Sequence, residues 1–459
     1  MAPHSEVDPN FPLANGRTSK DGALGPEAPK RSADALAAST WWMLREEVKP
    51  TPRGSRLVSF VWYAWVVGLL AGSALLLDAN VLVYAGFVTA AFLAVALLPD
   101  SGDSAAPFFY HLAVPFFAIK GWREGGAWTP MAFYWAFILL PLCDLVVGVD
   151  TFNKREEEYK QLRERRTFRV ATWVFVPMQL AFLAYACYAV NSIHLSGLEF
   201  TGVVLSVGVY TGGLGVTVSH ELSHKTNKLE QWLGRMACMV ISYGHFYVEH
   251  NRGHHKLVAT DDDPATARFG ESFYSFLPRC VIGSLLSAWK LEQDRCRDRN
   301  LPHWHNEMFW YWAASGSLCA ALTLAFGPRA IPLFLGQSLC GLILFESVNY
   351  LEHYGLERQR DKDGKVEPVG FEHSWDAPHR LTNIVLFKLQ RHGDHHVNCT
   401  RRFQVLRAQP ERSPQLPMGY PGCIILALVP PVWNAVMNPR VLERRRLCGG
   451  RAWRHGPGA

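Results

Sequence analysis

The sequence predicts an all-α, polytopic integral membrane protein: a bundle of six core membrane-spanning helices, with up to eight spans in all. Of its 459 residues, 49% are apolar and only 19% are charged. The apolar residues are concentrated in long uncharged blocks, and a block of about 20 residues crosses the roughly 30 Å hydrocarbon core of a bilayer as an α-helix. One such block could be a buried helix of a soluble protein, but a series of them indicates a membrane protein.

The N-terminal third of the chain is predicted to contain a tail and extra membrane segments. Residues 1–50 are polar and rich in Pro, Gly and Ala, which is typical of a disordered, uncleaved tail. Residues 51–127 are predicted to form additional N-terminal membrane segments, with apolar runs at 57–77 and 81–99. A third run, 104–119, is short and contains Pro115, so it is predicted to be either interfacial or re-entrant, or else a true crossing.

The main domain is predicted over residues 128–439, followed by a C-terminal tail at 440–459. Asp144 lies inside the first predicted span of this domain, and the spans are otherwise nearly free of charged residues. The predicted spans are residues 128–149, 170–190, 200–219, 309–327 and 330–351.

Three histidine clusters follow the later spans, and they repeat a short spacing. Residues at i, i+3 and i+4 share one face of a helix, so the pairs 220/224 and 250/254 and the trio 392/395/396 are each predicted to point in one direction. A further histidine, His353, follows the last span on the same side of the membrane. The candidate metal ligands are His220, His224, His250, His254, His255, His353, His392, His395 and His396.

Nine imidazoles are too many for one tetrahedral zinc, so the sequence predicts two metal ions with four or five ligands each. Nitrogen ligands alone do not identify the metal. The carboxylates Glu221, Glu249, Glu352 and Asp394 are predicted to orient the rings by accepting their second N–H. Three histidines near the clusters, His245, His373 and His379, are candidates for a similar supporting role, and the isolated histidines are predicted to be ordinary core or surface residues.

Two other functions fit parts of this pattern. His220-Glu221-Leu222-Ser223-His224 is also the signature of a zinc metalloprotease, although one zinc would leave most of the clustered histidines without a role. Metal storage or transport is the second alternative. Transport would require polar side chains through the bilayer interior, and the predicted spans are nearly free of them.

The charge distribution predicts the orientation of the chain. The histidine clusters must share one side of the membrane, and the loop over residues 150–169 on that side is strongly basic, whereas the opposite loops contain one basic residue, Arg329. Basic loops face the cytoplasm, so a cytoplasmic metal site is predicted, in a bacterial inner membrane or the endoplasmic reticulum. The N-terminal flank is basic too, so either one or three segments before residue 128 must cross.

The clustered motifs resemble those of the alkane 1-monooxygenase (alkane omega-hydroxylase) family, integral-membrane di-iron enzymes of the fatty-acid-desaturase-like superfamily. The resemblance covers residues 128–439. Ser223 and Gly393 replace residues that are often Gly and Ser in the family, and both changes are small. The motifs that resemble the family are residues 220–225, 249–255, 263–265, 268–272, 349–355 and 389–396.

The resemblance implies two iron ions and the hydroxylation of a terminal carbon of a medium or long alkyl chain to a primary alcohol. Fatty-acid desaturation and hydroxylation of an aromatic methyl group, as in xylene-type enzymes, are the alternatives within this superfamily. The middle cluster has the spacing His-x-x-x-His-His rather than His-x-x-His-His, which favours hydroxylation over desaturation.

Electrons are predicted to come from a separate protein, because the chain has no Gly-x-Gly-x-x-Gly motif and no closely paired cysteines. The resemblance implies a rubredoxin-like carrier with its reductase. The predicted docking residues are Arg252, Lys256, Arg391, Arg401, Arg402 and Arg407.

Overall fold

The computed structural model describes residues 56–98 and 104–447, so the predicted tail at 1–50 lies outside the described residues. Within the described ranges, the regular secondary structure is helical and no β-strand occurs. Five helices are long and apolar enough to cross a membrane, and two shorter apolar helices accompany them. The predicted all-α membrane fold is therefore confirmed.

The N-terminal region forms a helical hairpin followed by a broken helix. Asn80 begins the second helix of the hairpin, where its side chain accepts a hydrogen bond from the N–H of Leu82 at 2.9 Å. Pro115 lies in the first turn of the next α-helix, where its missing N–H costs nothing. The elements are α1 (Arg56–Leu75), α2 (Val81–Leu93) with a 3₁₀ turn (Ala94–Leu97), a 3₁₀ helix (Ala106–Ala113) and α3 (Val114–Glu124).

The broken helix connects the two ends of the bundle. Near its start, the ring of Phe108 lies 4.8 Å from that of Phe403, which is next to the first histidine cluster. Near its end, Nζ of Lys120 donates to the carbonyl of Leu77 at 3.0 Å, in the turn between α1 and α2. The short apolar run predicted at 104–119 is thus extended by α3 and reaches from one end of the bundle to the other.

The central helices contain π-helical turns. At one of them Gly212 faces Gly341 so closely that a Cβ on Gly212 would lie 2.1 Å from the Cα of Gly341. The widened turn is held by Gln179, whose side-chain amide donates to the carbonyl of Thr211 at 2.7 Å. The elements are α4 (Met131–Tyr134), π turn (Trp135–Leu139), α5 (Leu140–Val147), α6 (Glu156–Arg163), α7 (Arg166–Ser192), α8 (Gly197–Gly208), π turn (Val209–Leu214) and α9 (Gly215–Ser223).

The remaining elements form two further long apolar helices and a polar cap at the histidine end. The last helix extends beyond the predicted domain boundary at residue 439, because buried Arg445 donates to the carbonyl of Gly355 at 3.0 Å. The elements are α10 (Lys228–Val240), α11 (Phe246–Glu249), π turn (His250–His254), α12 (His255–Leu257), α13 (Phe273–Asp298), α14 (Glu307–Phe326), α15 (Ala330–His353), α16 (Arg380–Val385), α17 (His392–Val397), α18 (Tyr420–Ala427) and α19 (Pro430–Leu447).

Candidate metal centre

The predicted histidines come together at one end of the bundle in two groups. Within each group, the candidate ligand nitrogens lie within 4.8 Å of one another. They are supplied by the ends of α9 and α15, by the π turn at 250–254 with the residue after it, and by α17. One group is His220, His224, His250, His255 and His395, and the other is His254, His353, His392 and His396.

The second cluster is divided between the groups differently from the prediction. A regular α-helix would place residues 250 and 254 on one face, but residues 250–254 form a π turn, in which position i+5 rather than i+4 follows i. His250 therefore pairs with His255, whose Nε2 lies 3.1 Å away, and His254 turns into the other group. In α17, His392 and His396 stay together at 2.9 Å while His395 joins the first group.

The donor atoms fit a bound metal in each group. Nε2 of His220, of His254 and of His353 is buried and forms no hydrogen bond among the described residues. Burial, followed by the other histidines, lowers the pKa of His224, His250 and His395 well below the usual range. Neutral imidazoles with converging, unprotonated nitrogens are what metal ligation requires.

The four-histidine group is oriented by neighbouring acceptors. Nδ1 of His254 lies 2.9 Å from Oδ2 of Asp263, and Nδ1 of His353 lies 3.1 Å from the carbonyl oxygen of His373. Burial alone would lower the pKa of His254, but the Asp263 carboxylate raises it to about 9, so a metal that binds this ring must displace its Nε2 proton. Each of these contacts occupies Nδ1 and leaves Nε2 for the metal.

The four predicted carboxylates lie around the centre, but they do not all contact imidazoles. Oε1 of Glu352 lies 3.2 Å from Nδ1 of His392 but outside hydrogen-bond geometry, and it accepts instead from the hydroxyl of Tyr420 at 2.9 Å. Glu221 instead pairs with Nζ of Lys225 at 3.0 Å.

Asp394 accepts from Arg401 at 2.6 Å, so it too is held by a cation. Glu249 is buried beside the π turn, and burial and neighbouring Asp263 raise its pKa to about 8. The residue that sequence reasoning missed is Asp263, although it lies in one of the recognised motifs. The chain gave no spacing signal that placed this carboxylate next to His254.

An apolar cavity reaches the histidine groups from within the bundle. His220 and Glu352 line it at the metal end. Val209 lies eleven residues before His220, about 16 Å deeper at 1.5 Å per residue, and lines the cavity together with Trp135. Polar side chains are concentrated at the histidine end and the rest of the wall is apolar, so the cavity suits an apolar ligand with one end at the histidines.

Comparison with known proteins identifies the family. A family model described as fatty acid desaturase matches residues 196–426. "Alkane 1-monooxygenase 2" of Pseudomonas aeruginosa is 42% identical over 339 residues, which cover 72% of this chain and 90% of the relative. The alkane 1-monooxygenase of Acinetobacter baylyi is 40% identical over 308 residues, covering 67% of this chain and 75% of the relative.

The chain belongs to the alkane 1-monooxygenase family. It is therefore a membrane oxidoreductase of this type. The hydroxylase component XylM of the Pseudomonas putida xylene/toluene monooxygenase is also similar, at 27% identity over 267 residues, covering 57% of this chain and 70% of the relative.

In this monooxygenase, the basic residues predicted to dock a carrier are largely engaged within the fold. Arg402 binds both oxygens of buried Glu230, each at 3.0 Å, and Arg391 is itself buried and donates to the carbonyl of Leu406 at 2.8 Å. The others pair as follows: Arg252 with Glu292, Arg401 with Asp394, and Arg407 with Glu156. Lys256 is exposed beside the second cluster. These arginines therefore form contacts within the fold itself, which the sequence does not reveal because most of their partners are distant in the chain.

Proposed function

We propose that this protein hydroxylates the terminal carbon of medium or long-chain alkanes to primary alcohols. The observation that supports this most directly is the apolar cavity that ends at two groups of histidines. Each turnover converts R–CH₃, O₂, two electrons and two protons into R–CH₂OH and water. The names of the similar proteins give the same reaction class.

We infer that each histidine group holds one iron ion, through five imidazoles in one group and four in the other. An unactivated C–H bond has no acidic proton and no leaving group, so side-chain acid–base chemistry cannot attack it. Two bound irons would supply the one-electron redox chemistry that dioxygen activation requires.

The residues of this chain position the substrate and keep water out. The wall formed by Phe345, Val348 and Leu386 removes the alkyl chain from solvent near the metals. His220 and Glu352 line the end of the cavity next to the histidine groups. The end of the alkyl chain would lie there, so the terminal carbon rather than an internal one would be nearest the metals. A cavity that extends along the helix axes fits a linear alkyl chain better than a substituted ring, which is why the alkane is preferred over the aromatic methyl substrate.

Electrons enter, in this proposal, through the five-histidine group. Two of its members, His224 and His255, are partly exposed, whereas all four histidines of the other group are buried. A separate carrier such as rubredoxin would dock over these two rings, with exposed Lys256 and apolar Val397 nearby. Docking on this small surface replaces the wider basic set predicted from the sequence.

For the topology, we propose eight crossings with the metal centre on the cytoplasmic side. The hairpin α1–α2 adds two crossings, and the broken helix 106–124 adds a third before residue 128. Three is one of the two numbers that the charge distribution allows. The contacts of Phe108 and Lys120 at opposite ends of the broken helix support this arrangement.

The decisive experiment incubates membranes containing the protein with an alkane series, a xylene and a fatty acid, together with oxygen, rubredoxin, its reductase and NADH. We expect primary alcohols from the alkanes. Dominant formation of alkenes or of aromatic alcohols would contradict the proposal and favour a desaturase or a xylene-type enzyme. Full activity without any carrier would contradict external electron supply.

A further inference from the structure

A second cavity lies beside the substrate cavity and opens on the outer surface of the bundle. It has a volume of about 320 Å³ and is formed by α5 and its preceding π turn, by the N-terminal part of α18 and by His379. We call it the lateral groove. Its mouth is formed by Ile138, Leu142 and Ile425, whose side chains are 54%, 56% and 43% exposed. Large exposed apolar side chains on membrane helices face lipid, so the groove opens to the bilayer.

The lateral groove and the substrate cavity share part of their walls. Phe137 and Pro421 line both. Phe137 is buried and packs on Phe133 with ring centroids 4.7 Å apart, so its rotation requires a local rearrangement of this pair. The Phe137 ring and Pro421 therefore form part of the wall between the two spaces.

The groove has one polar end, which lies on the side of the histidine groups: Thr382, hydrogen-bonded to Asp144, also accepts from Gln390 at 2.8 Å, two residues before His392. Asp144 and His379 line it there, and Oδ1 of Asp144 accepts backbone N–H bonds from Leu381 and Thr382 at 3.1 and 3.2 Å. Position 419 requires a glycine, because a Cβ there would lie 2.8 Å from Oδ2 of Asp144. This oxygen is buried and forms no hydrogen bond among the described residues. A carboxylate oxygen can accept more than one hydrogen bond, so Oδ2 retains capacity for a hydroxyl donor.

We propose that the lateral groove is the release site of the primary alcohol, with the hydroxyl on Asp144 and the alkyl chain along the apolar wall; this inference rests on the function proposed above. The alkyl chain has the same orientation in the substrate cavity and in the lateral groove, with its oxidised carbon at the histidine end. A sideways step past Phe137 thus transfers the product without turning it. It leaves the alcohol with its hydroxyl near the membrane surface and its tail in lipid.

The polar end discriminates between alkyl ligands. A hydroxyl can donate to Asp144, whereas an alkane has no donor and a fatty acid would bring a second carboxylate against the first. The groove should therefore prefer the product over both the substrate and an acid of equal length.

The first test is photolabelling of the protein in its membranes with a long-chain alkan-1-ol that bears a diazirine about six carbons from the hydroxyl, because Ile138 lies about 9 Å from Asp144 at 1.5 Å per residue. We expect label within residues 138–142 and 421–425, removed by excess unlabelled alcohol but not by a fatty acid or alkane of equal length. Equal competition by the acid or the alkane, or label confined to other surfaces, would overturn the proposal. Because labelling needs no turnover, it remains informative even if the proposed function fails.

The second test obstructs the mouth with Ile425→Trp and compares it with Leu428→Trp. Both side chains are 43% exposed, but only Ile425 lines the groove. We expect Ile425→Trp to lower the steady-state rate several-fold while the first turnover stays within twofold of wild type, and Leu428→Trp to leave both unchanged. If the two variants behave alike, or if Ile425→Trp slows the first turnover equally, release through this groove is excluded. Absence of alcohol formation by the wild type would instead refute the proposed function.

Discussion

At the scale of single residues, the candidate metal centre includes side chains that orient the histidines without belonging to either histidine group. Asp263 is buried, and Oδ2 accepts from the hydroxyl of Thr266 at 2.6 Å as well as facing Nδ1 of His254. Burial would raise its pKa, but His254 lowers it, so the carboxylate is held in its charged form. The ring of His254 is thereby fixed with Nε2 directed at the four-histidine group.

The variant Asp263→Ala should therefore lower metal affinity and activity by about 10- to 100-fold, the usual cost of losing a group that orients a ligand. Asp262→Ala is the matched control, because Asp262 is exposed and pairs with Arg360 at 3.3 Å on the surface. Iron per chain, measured after dialysis against a graded chelator series, separates the two. If both variants retain iron equally, Asp263 has no role in positioning His254.

The two histidine groups also predict how iron is lost. His353→Ala removes one of four ligands from the buried group and leaves the five-histidine group complete, so iron should fall from about two to about one per chain, with activity abolished because both ions are needed. His194 is exposed and distant from the groups, and His194→Ala should keep full iron and activity. Iron and zinc are measured on the same purified samples; a single zinc and no iron in the wild type would contradict the di-iron site.

At the scale of elements, the π turns explain why the site could be predicted only in part. The nine histidines were identifiable because their spacing repeats, and the helical fold follows from the apolar blocks. The division of the histidines into two groups could not be predicted, because spacing rules assume 3.6 residues per turn and the sequence around His250 does not reveal a π turn. The same limit applies to Asp263 and to Arg402, whose partners are set by tertiary packing.

The N-terminal hairpin also has a consequence for the substrate cavity. Phe92 of α2 packs against Trp135, with ring centroids 5.7 Å apart, and Trp135 lines the deep end of the cavity. Tyr110 stacks on the same indole at 6.0 Å. The hairpin thus supports a residue that, under the proposed function, would limit how far an alkyl chain extends.

We therefore expect Phe92→Ala to let Trp135 move and to shift the preference toward longer alkanes, with a several-fold change in the ratio of kcat/KM for long and short substrates. Leu82→Ala, in the same helix but 67% exposed, should leave the ratio unchanged. The measurement is competition between two alkanes in one vessel, which cancels differences in expression. A shift with Trp135→Ala but none with Phe92→Ala would retain the cavity assignment and remove the role of the hairpin.

At the scale of the whole molecule, the elements agree with one arrangement in the membrane. The turn after α1 lies beside Lys120 at the end of the broken helix, and Nη1 of Arg329 donates to the carbonyl of Ile193 at 3.3 Å. Both contacts are at ends of helices whose other ends lie near the histidines. All of these loops should therefore face away from the cytoplasm, while the metal centre and the exposed turn at 361–365 face it.

Short epitope tags test this arrangement directly. With eight crossings, a tag after Asp78, whose side chain is 92% exposed, is reached by antibody from outside intact cells or spheroplasts, and so is a tag after His194. A tag after Asp363, in the exposed turn on the histidine side, is reached only after permeabilisation. Protection of the Asp78 tag together with exposure of the His194 tag would mean that the hairpin does not cross. The broken helix would then be the one crossing before residue 128, which charge also allows, so this pair of tags decides between six and eight spans.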